Sequence, residues 1–321
     1  MNRTPVIDAH THVWPDHLAA RALAGRVPGM SPTHDGTVSG LLASMDAAGI
    51  DRAVVMGIAD HARHVHRTNE FIGSLRSDRL IPFGTVHVDL SVEENLDSLR
   101  RHGVVGVKLH PLFQGFALDD PRLWELLAAI GGEFPVITHV GKGGTDEANR
   151  RSTPAMLAAL VDALPDLRLV ACHFGGFHRL EEALEVVVGK RVLLETSWPP
   201  ALAGLDATRV RQIIDAHGAD RIVFGSDWPM TDPAAEIATI RGLGLSPAQT
   251  AAVLGGNLAR WLAGEPTRTG EMAGAGEVAG AGEVAGTGER ASTGGATRTD
   301  EVAGGAEAGR TGDGGRRGAS A

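Results

Sequence analysis

Eight short runs of aliphatic and β-branched residues punctuate the chain, at 5–7, 52–56, 81–86, 104–109, 135–138, 168–172, 191–195 and 221–225. Each is close to continuously apolar, whereas a strand with one face in water would alternate apolar and polar positions. The pattern predicts parallel strands covered on both faces. Between the runs lie stretches of helical period that open on capping signals. These are Ser91 with Glu94 ahead of Leu96 and Leu99, Asp120-Pro121 ahead of Leu123 and Leu126, Thr153-Pro154 ahead of Leu157 and Leu160, and Asp232-Pro233 ahead of Ile237 and Ile240. Strand and helix alternating eight times predict an α/β chain folded as a (β/α)8, or TIM, barrel. A doubly wound open sheet is the competing arrangement, but no Gly-x-Gly-x-x-Gly follows the first run.

Two segments break the pattern. From His12 to about Ser39 the chain carries Pro15, Pro28, Pro32 and several glycines, which predicts a long loop over one barrel mouth. Past Trp261 the large apolar residues almost vanish, and Gly270-Glu271-Met272-Ala273-Gly274-Ala275 recurs at 276–281 and 282–287. Such a hexapeptide repeat buries too little apolar surface to offset chain entropy. The expected organisation is a barrel over 1–264 and a disordered tail over 265–321.

Composition narrows the function. With 39 acidic against 30 basic residues the net charge is −9, which offers no surface for nucleic acid or anionic membrane. Cys172 is the sole cysteine, so no internal disulfide can form, and no signal-like or 18-residue apolar run occurs. A soluble cytoplasmic protein with a small-molecule substrate is expected, and homo-oligomerisation is compatible with the sequence.

Barrel active sites lie at the carboxyl ends of the strands. Those ends carry His10 and His12, Lys108 and His110, His139, His173 and Asp227. His10 and His12, one residue apart on a strand, point to the same side. Together with His139 and Asp227 they form a nitrogen and oxygen set suited to Zn²⁺, Mn²⁺, Fe²⁺ or Co²⁺. Water on such a cation is expected to ionise near neutral pH, with Asp227 both ligand and proton acceptor and His173 stabilising an oxyanion or shuttling a proton. The chain has no tyrosine, so no phenol can take those roles.

The succession Asp8-Ala9-His10-Thr11-His12, Lys108-Leu109-His110-Pro111, Thr138-His139, His173-Phe174-Gly175-Gly176 and Gly225-Ser226-Asp227-Trp228-Pro229 resembles the amidohydrolase superfamily. More narrowly, it resembles the branch of aminocarboxymuconate semialdehyde decarboxylase and related metal-dependent hydrolases and decarboxylases, over about residues 5–262. The resemblance implies a single divalent metal, Zn²⁺ foremost, held by His10, His12, His139 and Asp227, with His173 beside the metal-bound water. Lys108 stands where binuclear members carry a carboxylated lysine bridging two metals, in which case His173 would ligate the second. Otherwise Lys108 contacts a substrate anion.

The leading expectation is hydrolysis of an amide, lactone or ester by metal-bound hydroxide. The alternatives are nonoxidative decarboxylation of an aromatic or dienoic acid and, from another class, a metal-free barrel serving as a scaffold. His110, Trp14, Trp228 and Arg150 are the expected substrate contacts. Trp14, Trp198 and Trp228 would form an apolar wall, and Arg150 with Arg151 would grip a carboxylate. Glu195, ending the seventh run, either orients a metal ligand or faces the helices. His61, His64 and His66 read as a solvated face, His87 as a satisfied barrel histidine, and Cys172 as a core thiol turned away from the metal side.

Overall fold

The computed structural model describes residues 3–24 and 30–265. The predicted tail, Glu265 apart, lies outside them. Eight strands, β1 (Ile7–His12), β2 (Arg52–Met56), β3 (Leu80–Thr85), β4 (Gly106–Leu109), β5 (Val136–Thr138), β6 (Leu169–Ala171), β7 (Leu193–Glu195) and β8 (Ile222–Val223), pair in parallel in sequence order. Ala9 N donates to Phe224 O at 2.9 Å and His12 N to Trp228 O at 2.7 Å, which stitches β1 to the end of β8 and closes the (β/α)8 barrel.

Both faces of the wall are buried, which explains the continuous apolar runs. Inside, Ile7, Ala9, Val54, Met56, Phe83, Ile137, Val170 and Leu193 fill the barrel. Its amino-terminal mouth is plugged by Leu258 and Trp261 of the helix Asn257–Leu262, with Trp261 stacked on Phe83 at 6.3 Å. Outside, Val55, Val107, Val136 and Leu194 pack under helix residues such as Leu41, Ile72, Leu99 and Leu157.

All four predicted caps form: Ser91 and Glu94 make a capping box, and Asp120, Thr153 and Asp232 each accept from a backbone N–H of the first turn. The segment expected to be a loop after His12 instead contains the helix Asp16–Leu23. Its run of Ala, Arg and Leu outweighs the flanking prolines, and Pro15 is tolerated at the N-cap, outside the helix.

Candidate metal centre

The barrel's polar end is built on irregular backbone. Ala9 belongs to the inner cluster, so strict alternation would send His10 and His12 outward. A register shift between Asp8 and Thr11 inserts an extra residue, and both imidazoles turn to the barrel axis. Asp8 holds the distortion from the side. It is fully buried, and its carboxylate accepts from His10 N (2.9 Å), Ser226 N (3.0 Å) and Ser226 Oγ (2.6 Å). Burial pushes its pKa up to about 7. Asp227, the next residue after Ser226, has φ 58°, and His173 has φ 59°. Non-glycine residues hold that left-handed geometry at a cost of ~1–3 kcal/mol, and the surrounding hydrogen bonds impose it here.

His10 Nε2 lies 3.1 Å from His12 Nε2 and 3.1 Å from Asp227 Oδ1, and His12 Nε2 lies 3.5 Å from the same oxygen. These separations are close to the edge of a tetrahedron whose centre makes ~2.1 Å bonds, about 3.4 Å. The protonation pattern suits a cation. Glu195 Oε2 lies 3.0 Å from His10 Nδ1 and can only accept as a carboxylate, so Nδ1 carries the proton and Nε2 presents its lone pair. Burial, followed by the nearby Lys108 ammonium, drives the His10 pKa well below its usual value, so the ring stays neutral.

His139 and His173 make a second pair. His139 Nε2 faces Lys142 O at 3.0 Å and His173 Nδ1 faces Ser197 O at 3.0 Å. Carbonyls only accept, so both inward nitrogens, His139 Nδ1 and His173 Nε2, expose lone pairs across 3.1 Å. Burial is the main cause that lowers both pKa values, His139 to about 3. Asp227 moves the other way: burial raises it well above the usual carboxylate range, against the pull of Lys108. A divalent charge beside it reverses that cost. The three atoms of His10, His12 and Asp227 form one compact candidate group, and His139 joins it only through His173.

Above these groups is a cavity of about 70 Å³ whose walls include Trp14, Ile58, Phe113, Phe177 and Met230. His110 lies parallel to His139 at 4.2 Å between ring centres and lines the same cavity.

The Amidohydrolase family profile matches residues 7–263. The chain belongs to the amidohydrolase family. That family is metal-dependent, in keeping with the donor set just described. The chain is similar to L-fucono-1,5-lactonase from Burkholderia multivorans, with 29% identity over 160 residues covering 46% of this chain and 49% of that protein. This chain thus spans about half the length of the curated relative it matches. A crystal structure of a putative 2-pyrone-4,6-dicarboxylic acid hydrolase from Pseudomonas putida matches with TM-score 0.56 and 25% identity, over 82% of this chain and 98% of that one. A dihydroxybenzoic acid decarboxylase from Polaromonas sp., solved with bound manganese and 2-nitroresorcinol, matches with TM-score 0.62 and 16% identity, over 81% and 97%. The last likeness is one of fold alone.

In this amidohydrolase several expected contacts lie elsewhere. Trp228 is fully buried, its Nε1 on Ser44 Oγ at 3.1 Å, because the backbone bridge to Thr11 continues the barrel wall and turns the indole away from the cavity. Trp198 packs on Phe177 at 5.1 Å, which leaves Trp14 as the tryptophan on the wall. Arg150 sits exposed in the turn Ala148–Arg150 with Nη1 on Asp146 O, and Arg151 pairs with Glu147. Lys108 is fully buried below the histidines, Nζ 3.2 Å from His10 Nε2 and 3.3 Å from Cys172 Sγ, and does not line the cavity. Cys172 faces the axis, as alternation from the inward Val170 and outward Ala171 requires, and the left-handed backbone at His173 then brings His173 inward as well.

Sequence reasoning left Glu195 open and missed Ser197. Its Oγ lies 2.9 Å from Glu195 Oε2, 2.9 Å from His173 Nδ1 and 3.3 Å from His10 Nδ1. Its position two residues beyond Glu195, on the same side of an extended chain, was the available signal. His61 and His66 are exposed and His64 pairs with Asp60, while His87 is buried with Nε2 on Gln114 O at 3.1 Å, as expected of each. Among the described residues no helix is long and apolar enough to cross a membrane.

Proposed function

We propose that this amidohydrolase hydrolyses a small organic ester, with a lactone as the favoured form, at one divalent cation held by His10, His12 and Asp227, with the His139 and His173 pair beside it. The observation that carries the reading is the convergence of His10 Nε2, His12 Nε2 and Asp227 Oδ1 within 3.5 Å of one another at the foot of an apolar cavity. The partial likeness to a lactonase favours the lactone over the amide. Zn²⁺ fits the mixed nitrogen and oxygen set, and Mn²⁺, Fe²⁺ and Co²⁺ are the competing ions. When bound, such a cation polarises a carbonyl and lowers the pKa of a water.

The chain's own residues do the rest. Asp227, at the cavity floor and 14% exposed, is placed to take the proton from water as its oxygen attacks the carbonyl carbon. The same carboxyl then returns that proton to the ring oxygen as the C–O bond breaks, leaving a hydroxy acid. His173, its tautomer set by Ser197 O, presents Nε2 beside His139 and orients the reacting oxygen. The apolar walls exclude bulk water, which strengthens every charge interaction at the floor. The reading places a small-molecule substrate in a cytoplasmic protein.

A panel of lactones, esters and amides assayed with the metal-loaded protein tests the reaction. Ring opening that consumes one water and is lost in Asp227→Asn supports hydrolysis. Release of carbon dioxide from aromatic or dienoic acids, with no lactone turned over, assigns decarboxylation instead.

A further inference from the structure

The chamber over the histidines, about 70 Å³, is smaller than the ~300–1,000 Å³ that pockets for small organic ligands usually enclose. A second cavity of about 530 Å³ adjoins it, and His12, Trp14 and Ile58 line both. It lies at the carboxyl ends of β1 and β2, between the helices Asp16–Leu23 and Val65–Ser74. Its wall is mixed: Leu18 and Phe71 offer apolar surface, while Arg21 and Arg67 bring two guanidinium groups from the two facing helices.

Neither arginine has an ion-pair partner among the described residues, whereas Arg79, Arg100 and Arg122 each hold a carboxylate at 2.6–2.9 Å. The cavity's own carboxylate, Asp60, is taken by His64 Nδ1 at 2.7 Å. Two exposed cations thus face a shared space, and among the described residues neither is engaged in an ion pair. Guanidinium groups match a carboxylate in charge and in planar donor geometry.

We propose that this adjoining cavity is a subsite for a carboxylate carried by a small organic molecule, with Arg21 and Arg67 gripping the anion and Leu18 and Phe71 covering its carbon skeleton. The inference rests on reading the smaller chamber as the place of reaction, with one layer of side chains, led by Trp14, between the two. The carboxylate can belong to the substrate itself or to a separate ligand; the recognition chemistry is the same.

The test is calorimetric titration of cyclohexanecarboxylate, and of its neutral amide, into the metal-loaded full chain and into Arg21→Gln, Arg67→Gln and the double variant. The carboxylate is expected to bind the parent protein, about tenfold more weakly in each single variant and about a hundredfold in the double. Added salt should weaken it further, and the amide should show neither effect. Equal affinity in all four proteins, an equal loss for the amide, or no binding at all overturns the subsite. Binding that disappears in His10→Ala but survives in the double arginine variant puts the anion on the cation and also overturns it.

Kinetics separate the two sources. Competitive inhibition of lactone turnover by cyclohexanecarboxylate assigns the subsite to the substrate's own carboxylate, and noncompetitive inhibition to a separate ligand, each keeping the subsite. Because binding is read without turnover, an inactive lactone panel overturns the proposed reaction alone. Turnover without arginine-dependent binding overturns the subsite alone.

Discussion

Glu195→Gln probes the device that sets the candidate metal ligand His10. The Glu195 carboxylate is fully buried and surrounded by donors: Ser197 N on Oε1, and His10 Nδ1 at 3.0 Å, Ser197 Oγ at 2.9 Å and His173 N at 3.3 Å on Oε2. Glutamine has the same shape but brings an NH2 group, and either flip sets that group against a donor. One flip faces the Ser197 N–H. The other faces His10 Nδ1 and favours the tautomer that protonates Nε2, covering the lone pair aimed at His12 and Asp227. A buried donor left facing a donor costs about 1–3 kcal/mol. Loss of a carboxylate behind a metal-binding histidine usually weakens metal affinity or activity by about 10–100-fold, equivalent to ~1.4–2.7 kcal/mol. Competition for Zn²⁺ against a chromophoric chelator, with circular dichroism to verify the fold, should therefore give a dissociation constant 10–100 times that of the parent. A constant within twofold, in a folded protein, would refute the assigned tautomer and the role of Glu195.

Three further outcomes follow from the same contacts. A Cβ at Gly225 would fall 2.3 Å from Glu195 Oε1, so Gly225→Ala should displace the carboxylate and reproduce the metal-binding loss of Glu195→Gln; parent-like Zn²⁺ affinity would contradict this. A Cβ at Gly106 would meet the Phe83 ring at 2.3–2.6 Å inside the barrel, and overpacking of that kind should lower stability by ~1–3 kcal/mol in urea unfolding, with no loss expected if the interior can give. Glu236 is 1% exposed, caps Leu202 N, and has its pKa raised by burial from 4.5 to about 7. Between those values the unfolded chain releases a proton that the folded chain keeps, so folding stability falls as pH rises through the window. Glu236→Gln removes that decline and should gain on the parent by roughly 3 kcal/mol from pH 4.5 to pH 7, whereas parallel urea-midpoint profiles would contradict it.

The barrel was legible because burial of both strand faces writes itself as continuous apolar runs, and because Ser91, Asp120, Thr153 and Asp232 announce their helices locally. The site was legible as a set of residue types at strand ends, since the fold delivers those ends to one mouth. What escaped depended on backbone departures that no local pattern encodes. The β1 register shift, the left-handed φ at His173 and the Thr11 to Trp228 bridge decide which way His10, His173 and Trp228 face. Arg150 was misplaced for a related reason: where a loop side chain ends depends on the path of the turn. Glu195 could be read as facing in or out until its contact with His10 fixed it.

Metal content measured by inductively coupled plasma mass spectrometry, on the parent chain and on His12→Ala, bears most directly on the central claim. One equivalent of divalent metal per chain in the parent, and less than a tenth of that in a folded His12→Ala variant, is the predicted result. A folded parent that takes up no metal, or a His12→Ala variant that keeps the full equivalent, would contradict it.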